Sequence, residues 1–203
     1  MKTYPSIERN THRGASIYAF DKLDGSNIRA EWNKKKGFWK FGRRHGLLDD
    51  SNPKLLEAPD LIRQHEAAFA QIFTRQRWQD VVAFFEFYGP QSFAGNHAEE
   101  PHQVSLIDLS VDKRGIISPR DFHSLTDGVV PSAKLLYHGV CDADFESGVR
   151  SGTLEGMTFE GVVCKGSNVS PGRPLMFKIK NQAWIDRLKE KCGDDVLLFE
   201  KLL

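Results

Sequence analysis

Cysteine is scarce in this chain, with 3 in 203 residues at Cys141, Cys164 and Cys192. They form no C-x-x-C pair and no other metal-ligand spacing. An odd, sparse count fits a reducing compartment with buried or incidental thiols, so an intracellular, cytoplasmic protein is expected. An excess of one charge is also missing, because 28 Lys and Arg stand against 27 Asp and Glu, a formal net charge of +1. A polycation that holds nucleic acid by bulk charge is thereby excluded. Any such contact has to come from local basic patches, and "KKK" at 34–36, "KFGRR" at 40–44 and "KIK" at 178–180 are the candidates. No apolar run approaches the roughly 18 residues that span a bilayer, and the polar opening carries no signal-peptide pattern, so no membrane partner is expected. Repeats, low-complexity tracts and linkers are absent. A chain of this length supports one sizeable core, and residues 1–203 read as a single domain with a short helical tail at 183–203.

What is present is a series of short strands with helices between the groups. Residues 17–20, 28–32 and 38–41 are strand candidates, with Gly25 and Gly37 where tight turns are wanted. Apolar side chains recur at helical spacing from 54 to 79, among them Leu55, Ile62, Phe69, Ile72 and Phe73, and Pro53 and Pro59 suggest breaks near the start. "VVAFFEFYG" at 81–89 has the run of a strand buried on both faces, interrupted only by Glu86. A polar loop at 90–103 leads to a strand at 104–111, which "GIIS" at 115–118 joins as a hairpin. Ser118 followed by Pro119 marks a helix start. Strands follow at 133–140, 158–166 and 175–181, and the tail is helical in two pieces divided near Gly193. Strands outnumber helices, so the expected class is α+β, with antiparallel sheets and flanking helices.

Several of these strands carry a charge where burial would be costly unless the group is paired or used. Lys22 follows the first strand, Glu86 sits in "VVAFFEFYG", Glu160 in "TFEGVVCKG", and Lys178 and Lys180 in "LMFKIKN". Lys178 and Lys180 are two apart on a strand and so share a face. Taken one at a time, each reads as a strand residue reaching solvent or as a structural ion pair. In order, "KLDGSN" (22–27), "RHG" (44–46), "EFYG" (86–89), "EGVVCK" (160–165) and "KIK" (178–180) resemble the collinear motifs of the covalent nucleotidyltransferase superfamily of polynucleotide ligases and messenger-RNA capping enzymes. The Ser-Asn after "KLDG" is similar to RNA ligases, and the opening "MKTYPSIE" to those that seal nicks.

The resemblance implies the ATP-grasp-like nucleotidyltransferase fold and an ATP-dependent RNA ligase that joins 5′-phosphate and 3′-hydroxyl ends through a lysyl-AMP intermediate. Lys22 matches the nucleophile. Only a neutral amine attacks, and neighbouring positive charge from Lys178, Lys180 and bound Mg²⁺ or Mn²⁺ is expected to lower its pKa. By the same resemblance Lys178 and Lys180 hold the α-phosphate, Glu160 the metal, and Glu86 the ribose. Arg44 grips the ribose or the accepting phosphate, and Asp24 orients the lysine or an outer water. Gly25 lets the backbone approach the nucleotide. Asn27 lies near the nucleotide and the nick, or else only caps the turn after Gly25.

Three features depart from the pattern. Ile107 in "LIDL" stands where ligases place an aromatic ring against adenine, so the base is expected to rest on aliphatic carbon. Asp24 stands where nick-sealing RNA ligases often have histidine. The 23 residues after Lys180 are fewer than an OB-fold or the further domain of nick-sealing ligases, so either the nucleotidyltransferase domain itself or a partner protein is expected to do that domain's work, and self-adenylylation to be weaker than joining of a pre-adenylylated end. A DNA ligase of the same mechanism, a capping-type guanylyltransferase and a non-catalytic end-binding module remain as alternatives. Outside the motifs, Trp39 beside Lys40, Arg43 and Arg44 is an aromatic among cations that suits binding of a single strand or an end. Trp32, Trp78 and Trp184 are expected in the core or its rim.

Overall fold

Alternation of apolar and polar side chains builds two antiparallel sheets in the structure, a computed structural model that describes residues 2–90, 92–97 and 99–203. β1 (Ser16–Asp21), β8 (Leu135–Val140), β9 (Gly161–Ser170) and β10 (Arg173–Lys180) form the smaller sheet in the order β10-β9-β1-β8. β2 (Ser26–Asn33), β3 (Gly37–Arg43), β4 (Gly46–Leu47), β5 (Asp80–Tyr88), β6 (Gln103–Val111) and β7 (Gly115–Ile116) form the larger, in the order β4-β3-β2-β5-β6-β7. The expected α+β class with antiparallel sheets is what the chain adopts.

In the smaller sheet the period of two divides each strand cleanly. Ile17 and Ala19 of β1, Val162 and Cys164 of β9, and Phe177 and Ile179 of β10 pack on one face against Phe145 and Val149 of α4 (Ala143–Ser151). The other face carries Phe20, Val163, Lys165, Lys178 and Lys180, all lining one cleft. Lys178 and Lys180 flank Ile179, which is buried on the opposite side, so the shared face expected for the two lysines is what forms.

The larger sheet turns Ile28, Ala30, Ala83, Phe85 and Phe87 into a core covered by α1 (Ala58–Arg63), α2 (Glu66–Arg75) and α3 (Pro119–Thr126). Phe69 meets Phe38 and Phe85 edge-to-face at 5.5 and 5.6 Å, and each such fully buried ring is worth about 1.5–3 kcal/mol. On the sheet's other face Phe84 joins Tyr4, Ile116 and Met176 in a cluster that ties the two sheets together. β5 departs from the expected burial on both faces: Val81, Ala83, Phe85 and Phe87 are buried, while on the side that faces the smaller sheet only Phe84 is, and Val82, Glu86 and Tyr88 are half-buried because the cleft opens there.

The helical stretch expected at 54–79 is divided differently. A 3₁₀ turn at Pro53–Leu55 precedes α1 and α2, and the break falls at Gln64 and His65. Pro59 lies in the first turn of α1, where its missing N–H costs nothing, so it starts the helix instead of breaking it. Ser118 caps α3 by accepting from Asp121 N at 3.1 Å. The tail forms α5 (Gln182–Cys192) and α6 (Val196–Leu202), parted at Gly193 as expected. Among the described residues no helix is long and apolar enough to cross a membrane.

Candidate active site

The segment 22–25 is the passage from one sheet to the other, since β1 ends at Asp21 in the smaller sheet and β2 begins at Ser26 in the larger. Lys22 therefore stands at the lip of a strand because that strand stops there, over the cleft between the sheets. Its backbone N–H donates to Gly161 O at 3.0 Å, and Asn181 N–H donates to Glu160 O at 3.0 Å. These two backbone bonds fasten the ends of β1, β9 and β10 together and bring Lys22, Glu160 and Lys180 to one point. The cleft has a volume of about 590 Å³.

Glu160 Oε1 accepts from Lys22 Nζ at 2.8 Å and from Lys180 Nζ at 2.9 Å. Its other oxygen, Oε2, is buried with no hydrogen-bond partner among the described residues. An orphaned, buried carboxylate oxygen is costly unless something binds it, and a hard divalent cation prefers oxygen ligands of this kind. The residues present fit such a cation. Among the described residues no group of three His, Cys, Asp or Glu side chains gathers to hold a metal, so a cation on Glu160 would need further ligands such as phosphate oxygens and water. That is the usual arrangement for Mg²⁺ at a nucleotide.

The electrostatics correct one expectation. Burial works to depress the Lys22 amine, but Glu160, Glu86 and Asp24 outweigh it, and the pKa stands above the ordinary lysine value. The basic pair does not hold Lys22 neutral here, because carboxylates lie closer to its nitrogen than the other lysines do. Lys178 and Lys180 are themselves the depressed amines. Burial, then Lys180 and Lys22, bring Lys178 down to about 7. Burial brings Lys180 to about 8, with Glu160 opposing and Lys22 assisting.

The two lysines also have backbone partners in the tail. Lys178 Nζ donates to Leu203 O at 2.6 Å and Lys180 Nζ to Leu202 O at 3.1 Å. The Lys180 ammonium sits 3.6 Å from the centre of the Trp184 ring, a cation–π contact that supports the charge where solvent is excluded. Groups expected to hold a phosphate thus already grip carbonyl oxygens, which shows that their donors converge on one small volume.

Asp24 Oδ2 accepts from Ala94 N at 2.9 Å and from Trp184 Nε1 at 3.3 Å. Its hydrogen bonds clamp the loop before β6 and the start of α5 to the passage, and neither goes to Lys22. At Gly25 a Cβ would lie 2.3 Å from Phe87 O and 3.0 Å from Tyr88 Cβ, so glycine is needed for the approach to β5, and the residue also lines the cleft.

Glu86 lies across from Asn27 in the β2–β5 register. Burial, opposed by Lys22 and assisted by Glu160, raises its carboxyl to about 8, and a backbone bond from Gly25 favours its charged form. Asn27 Nδ2 has one long bond to Phe85 O at 3.5 Å, and Asn27 Oδ1 is buried without a partner among the described residues. It spends nothing on the turn after Gly25, so the capping alternative is not what forms. Ile107 occupies the unpaired position where β5 and β6 slip register opposite Phe84 and Phe85, and with Phe20 and Val163 it gives the cleft an apolar end. Arg44 is exposed at the cleft mouth beside Arg43.

Lys165 escaped assignment from the sequence although it closes "EGVVCK". Its ammonium is buried, donating to Asp108 Oδ2 at 2.8 Å and Ile107 O at 2.6 Å, while Tyr4 OH donates to the same Asp108 oxygen at 2.6 Å. The signal was the same as for the other residues, a charge inside an apolar strand. The tail carbonyls of Leu202 and Leu203 left no signal, because backbone acceptors are invisible in composition.

No family model matches the chain, and no curated protein sequence matches it. Among solved structures it superposes on Naegleria gruberi RNA ligase. A glutamate-to-alanine mutant of that protein with AMP and Mn aligns at TM-score 0.65 and 15% identity, covering 92% of this chain and 58% of that one. A lysine-to-alanine mutant with ATP and Mn gives 0.64 and 17%, covering 90% and 57%. The ligase with PPi gives 0.62 and 16%, covering 88% and 53%. The chain therefore has the nucleotidyltransferase fold of RNA ligases, and it spans a little under three fifths of the length of the ligase it matches.

Proposed function

We propose that this chain is the adenylyltransferase domain of an ATP-dependent RNA ligase that activates a 5′-phosphate end for joining to a 3′-hydroxyl. The observation that carries the reading is the convergence of Lys22 and Lys180 on one oxygen of Glu160, at 2.8 and 2.9 Å, in a cleft between two sheets. An amine and a carboxylate with a free oxygen, backed by further ammonium groups, are what nucleotidyl transfer from a triphosphate asks for.

In this reading Lys22 first gives one ammonium proton to water, then forms a P–N bond to the α-phosphorus of ATP as the bond to pyrophosphate breaks, and sheds a second N–H proton to water as the phosphoramidate forms. Lys178 and Lys180 exchange the tail carbonyls for non-bridging phosphate oxygens and stabilise the charge that builds there. A divalent cation on Glu160 Oε2 would supply positive charge beside both the amine and the phosphate, favouring the neutral amine. Glu86 and Asn27 offer acceptors to the ribose, and Ile107, Phe20 and Val163 an apolar seat for the base. AMP then passes to an RNA 5′-phosphate guided by Arg44, and the 3′-hydroxyl displaces it.

The test is incubation of the full chain with labelled ATP or GTP, a divalent metal and RNA carrying 5′-phosphate and 3′-hydroxyl ends. Label from ATP on the protein, followed by joined RNA, supports the reading; label from GTP alone, or joining of DNA but not RNA, would replace it with a capping-type or DNA-ligase activity.

A further inference from the structure

Trp39 lies outside the site described above. β2 and β3 slip register between Glu31 opposite Lys40 and Trp32 opposite Phe38, so Trp39 is the extra residue of a β-bulge. Bulges re-aim a side chain out of the regular alternation. Here Phe38 and Phe41 both pack toward the helix-covered core, while the Trp39 indole is turned outward and is 45% exposed. Two ammonium groups lie over that ring, Lys36 Nζ at 4.5 Å and Lys40 Nζ at 5.6 Å from its centroid. From Trp39 the strand runs on to Arg43, Arg44 and His45, which line the mouth of the cleft.

Charge complementarity selects the occupant. The chain as a whole is nearly neutral, at +1, yet Lys34, Lys35, Lys36, Lys40, Arg43 and Arg44 crowd one hairpin. A flat indole with cations at its rim offers a face to a base and donors to the phosphates on either side of it. At about 3.3 Å per strand residue, Trp39 lies about 13 Å from Arg43 at the end of β3, roughly four steps of a stacked polynucleotide strand at about 3.4 Å each.

We propose that Trp39, with Lys36 and Lys40, is a stacking platform for an unpaired base of an RNA strand whose end enters the cleft past Arg43 and Arg44. The inference rests on the RNA-ligase reading for the identity of the strand, and it adds the surface that holds that strand away from the reacting atoms. Stacking of this kind tolerates any base, so the platform sets the grip and the direction of the strand without reading its sequence.

The test is fluorescence anisotropy with a labelled single-stranded uridine oligomer and the full chain, comparing wild type with Trp39→Ala, Trp39→Phe and the double variant Lys36→Ala/Lys40→Ala. Thermal melting keeps folding in view. AMP labelling of the same wild-type sample is read in parallel. Trp39→Ala is expected to weaken RNA binding about tenfold, and Trp39→Phe to restore most of it. The lysine variant is expected to flatten the salt dependence by about 1.4 in log–log slope, two phosphates at 0.7 each. Wild-type RNA affinity in a folded Trp39→Ala variant would overturn the proposal, as would a change of oligomeric state with no change in RNA affinity, which would make the hairpin a contact between copies. Trp39-dependent RNA binding by a protein that never takes up AMP would leave the platform standing and remove the ligase reading instead.

Discussion

Lys22 and Lys180 share a single carboxylate oxygen, with Glu160 Oε1 accepting from one at 2.8 Å and from the other at 2.9 Å. The sharing couples the residue that follows β1 to the one that ends β10, 158 positions apart in sequence, through the residue that precedes β9. Two cations on one anion leave a net positive site, which suits a polyphosphate.

Glu160→Gln removes the charge that pairs both lysines and the oxygen left for a cation. Incorporation of labelled AMP is expected to fall by about 10²–10³-fold, the scale for deleting one preorganised electrostatic group, with the residual activity demanding more divalent metal. Labelling at the wild-type level with an unchanged metal titration would remove Glu160 from the site.

The depressed amines of Lys178, at about 7, and Lys180, at about 8, make phosphate binding a protonation event. Both lie below the ordinary lysine value, so the folded protein holds fewer protons than the unfolded chain between about pH 7 and 10.5, and stability rises with pH across that window. A bound triphosphate favours the charged forms. Calorimetry of ATP binding to the unreactive Lys22→Ala variant at pH 8, without divalent metal and in buffers of different ionisation enthalpy, is expected to show net proton uptake. Zero uptake would mean that these lysines do not meet the phosphates.

Glu86 titrates in the opposite sense. Its carboxyl is raised to about 8, so the fold holds a proton that the unfolded chain releases near 4.5, and stability falls as pH climbs from 4.5 to 8. Glu86→Gln mimics the protonated form. Its melting temperature is expected to match wild type at pH 5 and to exceed it at pH 9. Nucleotide affinity is expected to match wild type at pH 5 and to fall below it at pH 9 if the charged acceptor role holds.

Gly25→Ala places a methyl carbon 2.3 Å from Phe87 O. The backbone of β5 cannot rotate away as a side chain would, so a loss of about 1–3 kcal/mol is expected in denaturant unfolding. A variant as stable as wild type would show that the passage from β1 to β2 has more room than the structure gives it.

Much of this was legible in the sequence because buried charges are expensive. Glu86, Glu160, Lys178 and Lys180 announced themselves as charges in apolar strands, and the alternation around Ile179 fixed the shared face of the two lysines. The protonation of Lys22 was not legible: it depends on which charges end up nearest its nitrogen, and the carboxylates of Glu160, Glu86 and Asp24 come from three separate segments. The contact of Gly25 with β5 was not legible either, because Phe87, which it touches, is 62 positions further on. The break between α1 and α2 carries neither glycine nor proline, so it left no mark in the pattern.

The measurement that tests the account most directly is peptide mapping by mass spectrometry after incubation with ATP and Mg²⁺. The account predicts one AMP on the peptide that contains Lys22, and none on the Lys22→Ala protein while that variant keeps the wild-type melting curve. Lys178 and Lys180 are the more readily neutral amines in the same cleft. An adduct on either of them, or persistence of labelling in folded Lys22→Ala, would contradict it.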